Sequence, residues 1–185
     1  MKHLSATFLL LLAFIGCWAQ KQKKQVVVAY VTSGSKVMPD PDYVTHINYA
    51  FGHINKTFDG IEIENPGRLR SIVNLKNKNR HLKVLLSIGG WGSGGFSEMA
   101  AHADRRKRFA DSCARLIGQY HLDGIDVDWE YPTSNIAGIT AAKEDTGNYT
   151  MLMTAIRKAI GPGKLLTLAS VDNARFVDFK SIKDI

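Results

Sequence analysis

Cysteine is nearly absent from this sequence, whose 185 residues contain only two, Cys17 and Cys113. Cys17 lies in an amino-terminal segment that is predicted to be removed or lipidated, so Cys113 has no intrachain partner and a disulfide is excluded. Cys113 also falls in helical register with Phe109, Leu116 and Tyr120. It is therefore predicted to be a packed thiol and not a nucleophile.

The sequence also lacks the spacing patterns of metal and nucleophile sites. Its six histidines show no H-x-x-x-H or other tight ligand spacing, and no G-x-S-x-G motif is present. A hard cation on the acidic strand described below is the alternative, but such sites usually draw their oxygens from loops or substrate phosphates. We predict no metal and no cofactor.

Basic runs without aromatic residues argue against a nucleic-acid partner. The net charge is +7, and the basic residues gather in KQKKQ at 21–25 and in RRKR at 105–108. The first run is typical of a mobile leader and the second of the solvated face of a helix. Because neither is interleaved with aromatic side chains, no nucleic-acid binding is predicted.

A single strongly apolar run, Leu9 to Ile15, lies close to the amino terminus behind Lys2 and His3. It is too short to span a bilayer as a mature helix, and it predicts a secretory signal at 1–19 cleaved after Ala19. Lipidation of Cys17 is the alternative, and only then would the protein contact a membrane. We predict a secreted or cell-envelope protein with a basic leader at 20–25.

Residues 26–185 alternate between predicted strands and helices. Strands are predicted at 26–31, 43–54, 82–90, 121–132 and 164–171, and helices at 69–80, 104–120 and 146–160, with Asp104 as a helix N-cap. The valine-rich first strand is expected to be buried on both faces. This order predicts an α/β fold with a parallel sheet, either doubly wound or an eightfold barrel.

The segment HLDGIDVDWEYP at 121–132 decides between the two architectures. Side chains alternate along a strand, so Asp126, Asp128 and Glu130 share one face, and the apolar residues between them share the other. Flat α/β sheets carry helices on both faces and leave no room for such a row. A barrel interior can hold it, with Glu130 at the carboxyl end of the strand, where barrel enzymes keep their chemistry.

The segment GWGSGG at 90–95 matches the G-x-G-x-x-G pattern of dinucleotide sites. The context is wrong, because the motif follows the third predicted strand, no helix is predicted directly after the glycines, and no acidic residue ends a strand about twenty residues later. Close packing of the backbone and a loop over a ligand are the favoured interpretations.

Carboxylates and aromatic residues together point to sugar chemistry. Aromatic side chains fall in or just after the predicted strands, and aromatic faces stack on sugar rings. Paired carboxyl groups are the usual means of glycoside hydrolysis. Trp129 is the exception, since it shares the helix-facing side of Ile125 and Val127 and is predicted to be core.

These motifs resemble glycoside hydrolase family 18. DGIDVDWEYP is similar to the family's D-x-x-D-x-D-x-E signature, which begins at Asp123 and Gly124 and ends at Glu130. LLSIGGW is similar to its S-x-G-G segment, with Ser87, Gly89 and Gly90 at the motif positions. The resemblance implies a (β/α)8 TIM barrel, of which 26–185 would supply roughly the first five β/α units.

The resemblance also implies roles for individual residues. Glu130 would be the general acid of a retaining mechanism in which the substrate's acetamido group is the nucleophile. Asp128 would orient that group and stabilise the oxazolinium ion, and Asp126 would share a proton with Asp128. Residues expected around the sugar are Tyr30, Phe51, Trp91 and Tyr131.

The implied activity is hydrolysis of β-1,4-linked N-acetylglucosamine polymers, with chitin or its oligosaccharides as the partner. Two alternatives remain open: an endo-β-N-acetylglucosaminidase acting on glycoproteins, and a non-catalytic lectin on the same barrel. The sequence stops after five predicted strands. We therefore expect an amino-terminal part of a longer enzyme that is inactive in isolation.

Overall fold

The computed structural model describes residues 25–171 and 175–185. The predicted signal peptide at 1–19, Cys17 and most of the predicted leader lie outside the described residues. No helix within the described ranges is long and apolar enough to cross a membrane.

Strands and helices alternate along the described chain. The strands are β1 Val28–Thr32, β2 His46–Ile54, β3 Ile61–Ile63, β4 Lys83–Gly89, β5 Gly124–Asp128 and β6 Leu165–Leu168. The helices are α1 Pro66–Val73, which continues as a 3-10 turn over Asn74–Asn77, α2 Phe96–Ala100, α3 Ala103–Tyr120, α4 Asp145–Ile160 and α5 Phe179–Ile182. The predicted strand and helix positions are confirmed to within a few residues.

The sheet has the order β1-β2-β4-β5-β6, and all four of these pairings are parallel. Helices cover its outer face, and successive parallel strands lie next to one another, as in part of a (β/α)8 barrel. The short strand β3 was not predicted. It pairs antiparallel with β2 through a turn in which the Asn55 side chain accepts hydrogen bonds from the backbone N–H groups of Asp59 and Gly60.

The main hydrophobic core lies between the sheet and the helices. It contains Ile125, Val127 and Trp129 from the helix-facing side of the acidic segment, each at most 1% exposed. The prediction that Trp129 is core is confirmed, since its ring stacks on Phe96 at 5.2 Å and meets Tyr149 edge-on at 5.4 Å. The apolar residues of the acidic segment therefore face the helices, as the alternation predicts.

Helix α3 packs the predicted apolar face against this core, with Cys113 fully buried. Burial raises the pKa of the Cys113 thiol well above its usual range, as expected for a packed cysteine. The predicted N-cap was wrong by two residues. The helix begins at Ala103 after His102, and Asp104 lies in its first turn, where it pairs with Arg108 at 3.0 Å.

The first strand is not buried on both faces, which corrects the prediction from its apolar run. Val26, Val27, Val28 and Tyr30 are all exposed. Within the described residues β1 pairs only with β2, so it is an edge strand. At the other edge, Leu165 of β6 is exposed as well.

We expect residues 20–185, expressed alone, to self-associate through these edges, because unpaired parallel strands with exposed apolar side chains are templates for further pairing. Size-exclusion chromatography with light scattering measures the effect. Val28→Lys should reduce the association, since a charge on an edge strand opposes pairing. A monodisperse wild-type monomer that melts cooperatively would contradict the expectation.

Candidate active site

The inner face of the sheet carries a buried carboxylate, Asp126, that accepts hydrogen bonds from three hydroxyl groups. Ser87 Oγ and Thr167 Oγ1 donate at 2.8 and 2.6 Å, from positions directly opposite Asp126 on β4 and β6. Tyr30 Oη donates from β1 at 2.8 Å. Burial and the Asp126 charge raise the pKa of Tyr30, so its hydroxyl stays protonated and serves as a donor.

Asp128 lies two residues further along β5 and is also buried. Its pKa is raised to about 7, first by burial, then by the charges of Glu130 and Asp126, and by a hydrogen bond with Glu130. Asp128 can therefore keep its proton up to near-neutral pH. The sharing of a proton between Asp126 and Asp128, which the resemblance implies, stays a prediction.

Glu130 follows the carboxyl end of β5 and is partly exposed, whereas both aspartates are buried. The row therefore runs from a hydroxyl-bonded acid deep in the sheet to an accessible acid at its edge. All three predicted acids are brought together. A buried carboxyl group next to one that solvent can reach is suited to donate and later accept a proton at a bound ligand.

An open cavity of about 270 Å³ lies beneath the acids on the inner face. It is lined by Tyr30, Asn48, Leu85, Asp126 and Thr167 among others. Leu85 and Asp126 point into this space from the strands, whereas their sequence neighbours point into the core. The carboxylates therefore belong to the inner face of the sheet and not to its helix-covered face.

The motif glycines lie where strands approach closely. A Cβ on Gly89, whose φ is +125°, would lie 2.0 Å from the backbone oxygen of Asp128. A Cβ on Gly124 would lie 2.1 Å from the backbone oxygen of Leu165. Gly90 has φ +92° and lies under the Phe51 ring, and its N–H donates to the Asp128 carbonyl at 2.9 Å. The Gly89 and Gly90 contacts hold β4 against β5 at the level of the acids, and the Gly124 contact holds β5 against β6 at the start of β5.

Asp123 occupies the opposite end of β5 and pairs with basic residues. Its carboxylate contacts Lys76 Nζ at 2.7 Å and Lys83 Nζ at 3.4 Å, and it accepts the Val84 N–H at 2.9 Å. Burial raises the pKa of Asp123, but the Lys76 hydrogen bond and the other contacts outweigh burial and lower it overall. Asp123 therefore ties β4, β5 and the turn after α1 together, away from the three acids.

The predicted aromatic residues form two groups at the mouth of the site. Tyr131 meets Trp91 edge-on with ring centroids 6.4 Å apart, and it stacks on Phe176 at 5.2 Å. Trp91 is 63% exposed, which leaves its ring open to a ligand. Phe51 lies over Gly90 on the other side, and Tyr30 is below, bonded to Asp126.

Sequence reasoning missed two residues of this site, Thr167 and Phe176. Thr167 lies in a predicted strand, but its contact with Asp126 depends on the register between β5 and β6. Alignment of Ser87, Asp126 and Thr167 across three parallel strands is the signal that could have identified it. Phe176 follows β6 in irregular structure, and no local pattern links it to Tyr131.

The glycine run at 90–95 also requires a correction. A helix does begin directly after Gly95, contrary to the prediction, although α2 contains only five residues. A Cβ on Gly95 would press on Ile54 and Phe58, so this glycine permits close packing against the β2–β3 hairpin. The favoured interpretation of the run as tight backbone packing agrees with this contact.

Comparison with known proteins identifies the family of this chain. The family model described as "Glycosyl hydrolases family 18" matches residues 11–185. The chain belongs to glycosyl hydrolase family 18. The resemblance seen in the motifs is thereby confirmed.

Relatives and solved structures agree with this assignment. Chitinase A1 of Niallia circulans is 36% identical over 168 residues, which cover 85% of this chain and 22% of that protein. The chitinase domain of the spore coat protein CotE from Clostridium difficile superposes with a TM-score of 0.82 at 36% identity, covering 86% of this chain and 47% of that domain.

A family 18 N-acetylglucosaminidase from Paenibacillus barengoltzii superposes with a TM-score of 0.78 at 34% identity. That match covers 86% of this chain and 50% of the other. The chain thus spans about half the length of these two solved structures. The predicted fold, a part of a (β/α)8 barrel, is confirmed.

Proposed function

We propose that the full-length protein is a secreted or cell-envelope chitinase that hydrolyses β-1,4-linked N-acetylglucosamine polymers with Glu130 as the general acid. The observation that carries this proposal is the row of carboxyl groups along β5, in which buried Asp126 and Asp128 lead to a partly exposed Glu130 at the carboxyl end of the strand. Family membership and the chitinases among the relatives support it.

In the first step, Glu130 donates its proton to the oxygen of the glycosidic bond. The bond between that oxygen and the anomeric carbon breaks, and the rest of the polymer leaves as an alcohol. The carbonyl oxygen of the substrate's 2-acetamido group bonds to the anomeric carbon on the opposite face and forms an oxazolinium ion. This is the substrate-assisted variant of the retaining mechanism.

In the second step, a water molecule attacks the anomeric carbon, and ionised Glu130 accepts the proton of that water. The oxazolinium ring opens, the acetamido group is restored, and the sugar keeps its original anomeric configuration. Glu130 is protonated again at the end. Its partly exposed position at the strand end suits it to meet both the polymer oxygen and the water.

In this proposal Asp128 turns toward the acetamido group and accepts a hydrogen bond from its N–H. A negative charge there stabilises the positive charge that develops on the oxazolinium ion. The Asp126 carboxylate, held by Tyr30, Ser87 and Thr167, stays fixed behind Asp128. Its charge contributes to the raised pKa of Asp128, which keeps a proton available to the row until substrate arrives.

The aromatic rings at the mouth of the site would provide sugar-stacking surfaces beside the acids. Trp91 and Tyr131 would carry one part of the chain, and Phe51 another. Contact with a membrane would arise only from lipidation at Cys17.

The dependence on the acetamido group gives a direct test. We expect the full-length protein to release products from an N-acetylglucosamine hexamer at least about 100-fold faster than from the fully deacetylated hexamer, because only the former carries the nucleophile. Chromatography of the products measures both rates. Equal rates would indicate a conventional carboxylate nucleophile and would contradict the proposed mechanism.

A further inference from the structure

Four polar side chains form a continuous hydrogen-bonded chain at the mouth of the site, next to Phe51. His53 Nδ1 lies 2.9 Å from Ser93 Oγ, and His53 Nε2 lies 3.2 Å from Glu64 Oε1. Ser33 Oγ donates to the other carboxylate oxygen, Glu64 Oε2, at 2.5 Å. We name Ser33, His53, Glu64 and Ser93 the rim chain.

The rim chain draws its members from four different parts of the sheet. Ser33 follows β1, His53 is near the end of β2, Glu64 follows β3, and Ser93 follows β4. These are the carboxyl ends of the parallel strands β1, β2 and β4, the same edge of the sheet at which Glu130 follows β5. The chain thus lies at the edge where a barrel places its ligands.

Backbone and ring contacts fix the rim chain around Phe51. The Phe51 and His53 rings have centroids 6.3 Å apart, and the Glu64 N–H donates to the Phe51 carbonyl at 3.2 Å. The Ser93 N–H donates to the carbonyl of Gly90, on which the Phe51 ring rests. A sugar stacked on Phe51 would therefore meet the rim chain with its ring substituents.

The hydrogen bonds hold a negative charge in a defined place. With His53 neutral, its Nε2–H donates to Glu64 while Nδ1 accepts the Ser93 hydroxyl, so each carboxylate oxygen has one donor and free lone pairs. The Ser33 hydrogen bond, opposed by burial and aided by His53, lowers the pKa of Glu64. The Tyr49 hydroxyl donates to the Glu64 carbonyl at 2.9 Å and anchors its backbone.

Stability does not account for this arrangement. The side chains of His53 and Glu64 are 36% and 53% exposed, and ion pairs of that exposure contribute little to folding. An oriented, accessible carboxylate beside an aromatic ring is suited to recognise a cation on a ligand, because charge-assisted hydrogen bonds are stronger than neutral ones. The polymer of the proposed function offers one such cation, the protonated 2-amino group of a deacetylated unit.

We propose that the rim chain is a subsite for a glucosamine unit, whose ammonium group binds Glu64 while its ring stacks on Phe51. This inference rests on the proposed function, with the acetylated sugar at Asp128 and Glu130 and a deacetylated sugar further along the same chain. The protein would accordingly prefer partially deacetylated polymers over fully acetylated ones of equal length.

The test compares two glutamate variants of the full-length protein at neutral pH. Substrates are the fully acetylated hexamer and defined hexamers with a single glucosamine at each position in turn. Glu64→Gln should raise KM about 5- to 10-fold for the one hexamer that wild type prefers, with kcat unchanged, and should leave the acetylated hexamer unaffected. Glu62→Gln removes the same charge from an exposed position on β3 and should leave KM and kcat unchanged for both kinds of hexamer.

Other outcomes would overturn the inference. An equal effect of Glu64→Gln on all hexamers would indicate a structural role, and an equal effect of Glu62→Gln would indicate long-range charge only. Ser33→Ala, which keeps the charge but frees the carboxylate, should give a smaller rise in KM for the same hexamer; no rise would also count against the subsite. If wild type cleaved no hexamer at all, the proposed function itself would fail.

Discussion

Glu130→Gln in the full-length protein is expected to lower kcat for a chitin oligomer by about 100-fold or more, the scale of losing a general acid. Glutamine has nearly the same shape as glutamic acid but cannot transfer the proton to the glycosidic oxygen. The Kd of the oligomer should stay near the wild-type value, because the aromatic surfaces and both aspartates remain. Single-turnover kinetics and calorimetry separate these two quantities.

Two controls make this result specific to proton transfer. Glu144→Gln removes an exposed carboxylate just before α4 and should leave kcat unchanged. A substrate with a nitrophenolate leaving group requires little protonation, so it should recover part of the lost rate in the Glu130→Gln variant. Near-normal cleavage of the natural oligomer by Glu130→Gln would refute the assignment of Glu130.

The two faces of β5 illustrate what the sequence can predict. Strict alternation of acidic and apolar residues from Ile125 to Glu130 assigns each side chain to a face, and the structure buries Ile125, Val127 and Trp129 against helices. The same local physics placed α3 and the packed thiol of Cys113. Such predictions succeed because they depend on the period of the chain and on no distant partner.

Contacts between strands lie beyond that local information. The hydrogen bonds of Asp126 join residues 39, 41 and 96 positions away. Their existence depends on the strand register, which sequence periodicity does not determine. For the same reason the rim chain went unnoticed, since His53 and Ser93 are 40 positions apart.

Short and edge elements were the other source of error. Strand β3 has three residues, too few for a periodic pattern to be visible. The apolar run of β1 predicted burial on both faces, but burial depends on what pairs with the strand, and within the described residues only β2 does. Propensity identified the strand correctly, and tertiary context determined its exposure.

Asp128→Asn is expected to lower kcat by about 100-fold, because the charge that faces the oxazolinium ion is removed. The same substitution should also raise the free energy of unfolding relative to wild type as the pH rises. Folding raises the pKa of Asp128 to about 7, whereas an unfolded chain releases this proton near pH 4. The contribution of Asp128 to wild-type stability is therefore fully present below about pH 4 and is lost as the pH rises through about 7.

Asparagine cannot ionise, so the Asp128→Asn variant lacks this loss. Relative to wild type, its free energy of unfolding should rise by on the order of 2–4 kcal/mol between about pH 4 and 7. Above about pH 7 this gain should be retained. Thermal or chemical unfolding of both full-length proteins across that range measures the difference. A constant difference at all pH values would show that Asp128 ionises normally in the folded state.

Asp123→Asn is the matched control, with the same chemical change at the opposite end of the same strand. The pKa of Asp123 is lowered in the folded state, chiefly by Lys76, so its contribution to stability is present above the unfolded pKa and is lost as the pH falls through the folded one. Asp123→Asn should therefore destabilise the protein at neutral pH and not in strong acid, while kcat stays close to wild type. Opposite pH trends in the stability of the two variants would show that Asp128 is held for catalysis at the expense of stability, whereas Asp123 serves stability alone. Parallel trends would exclude this difference between the two aspartates.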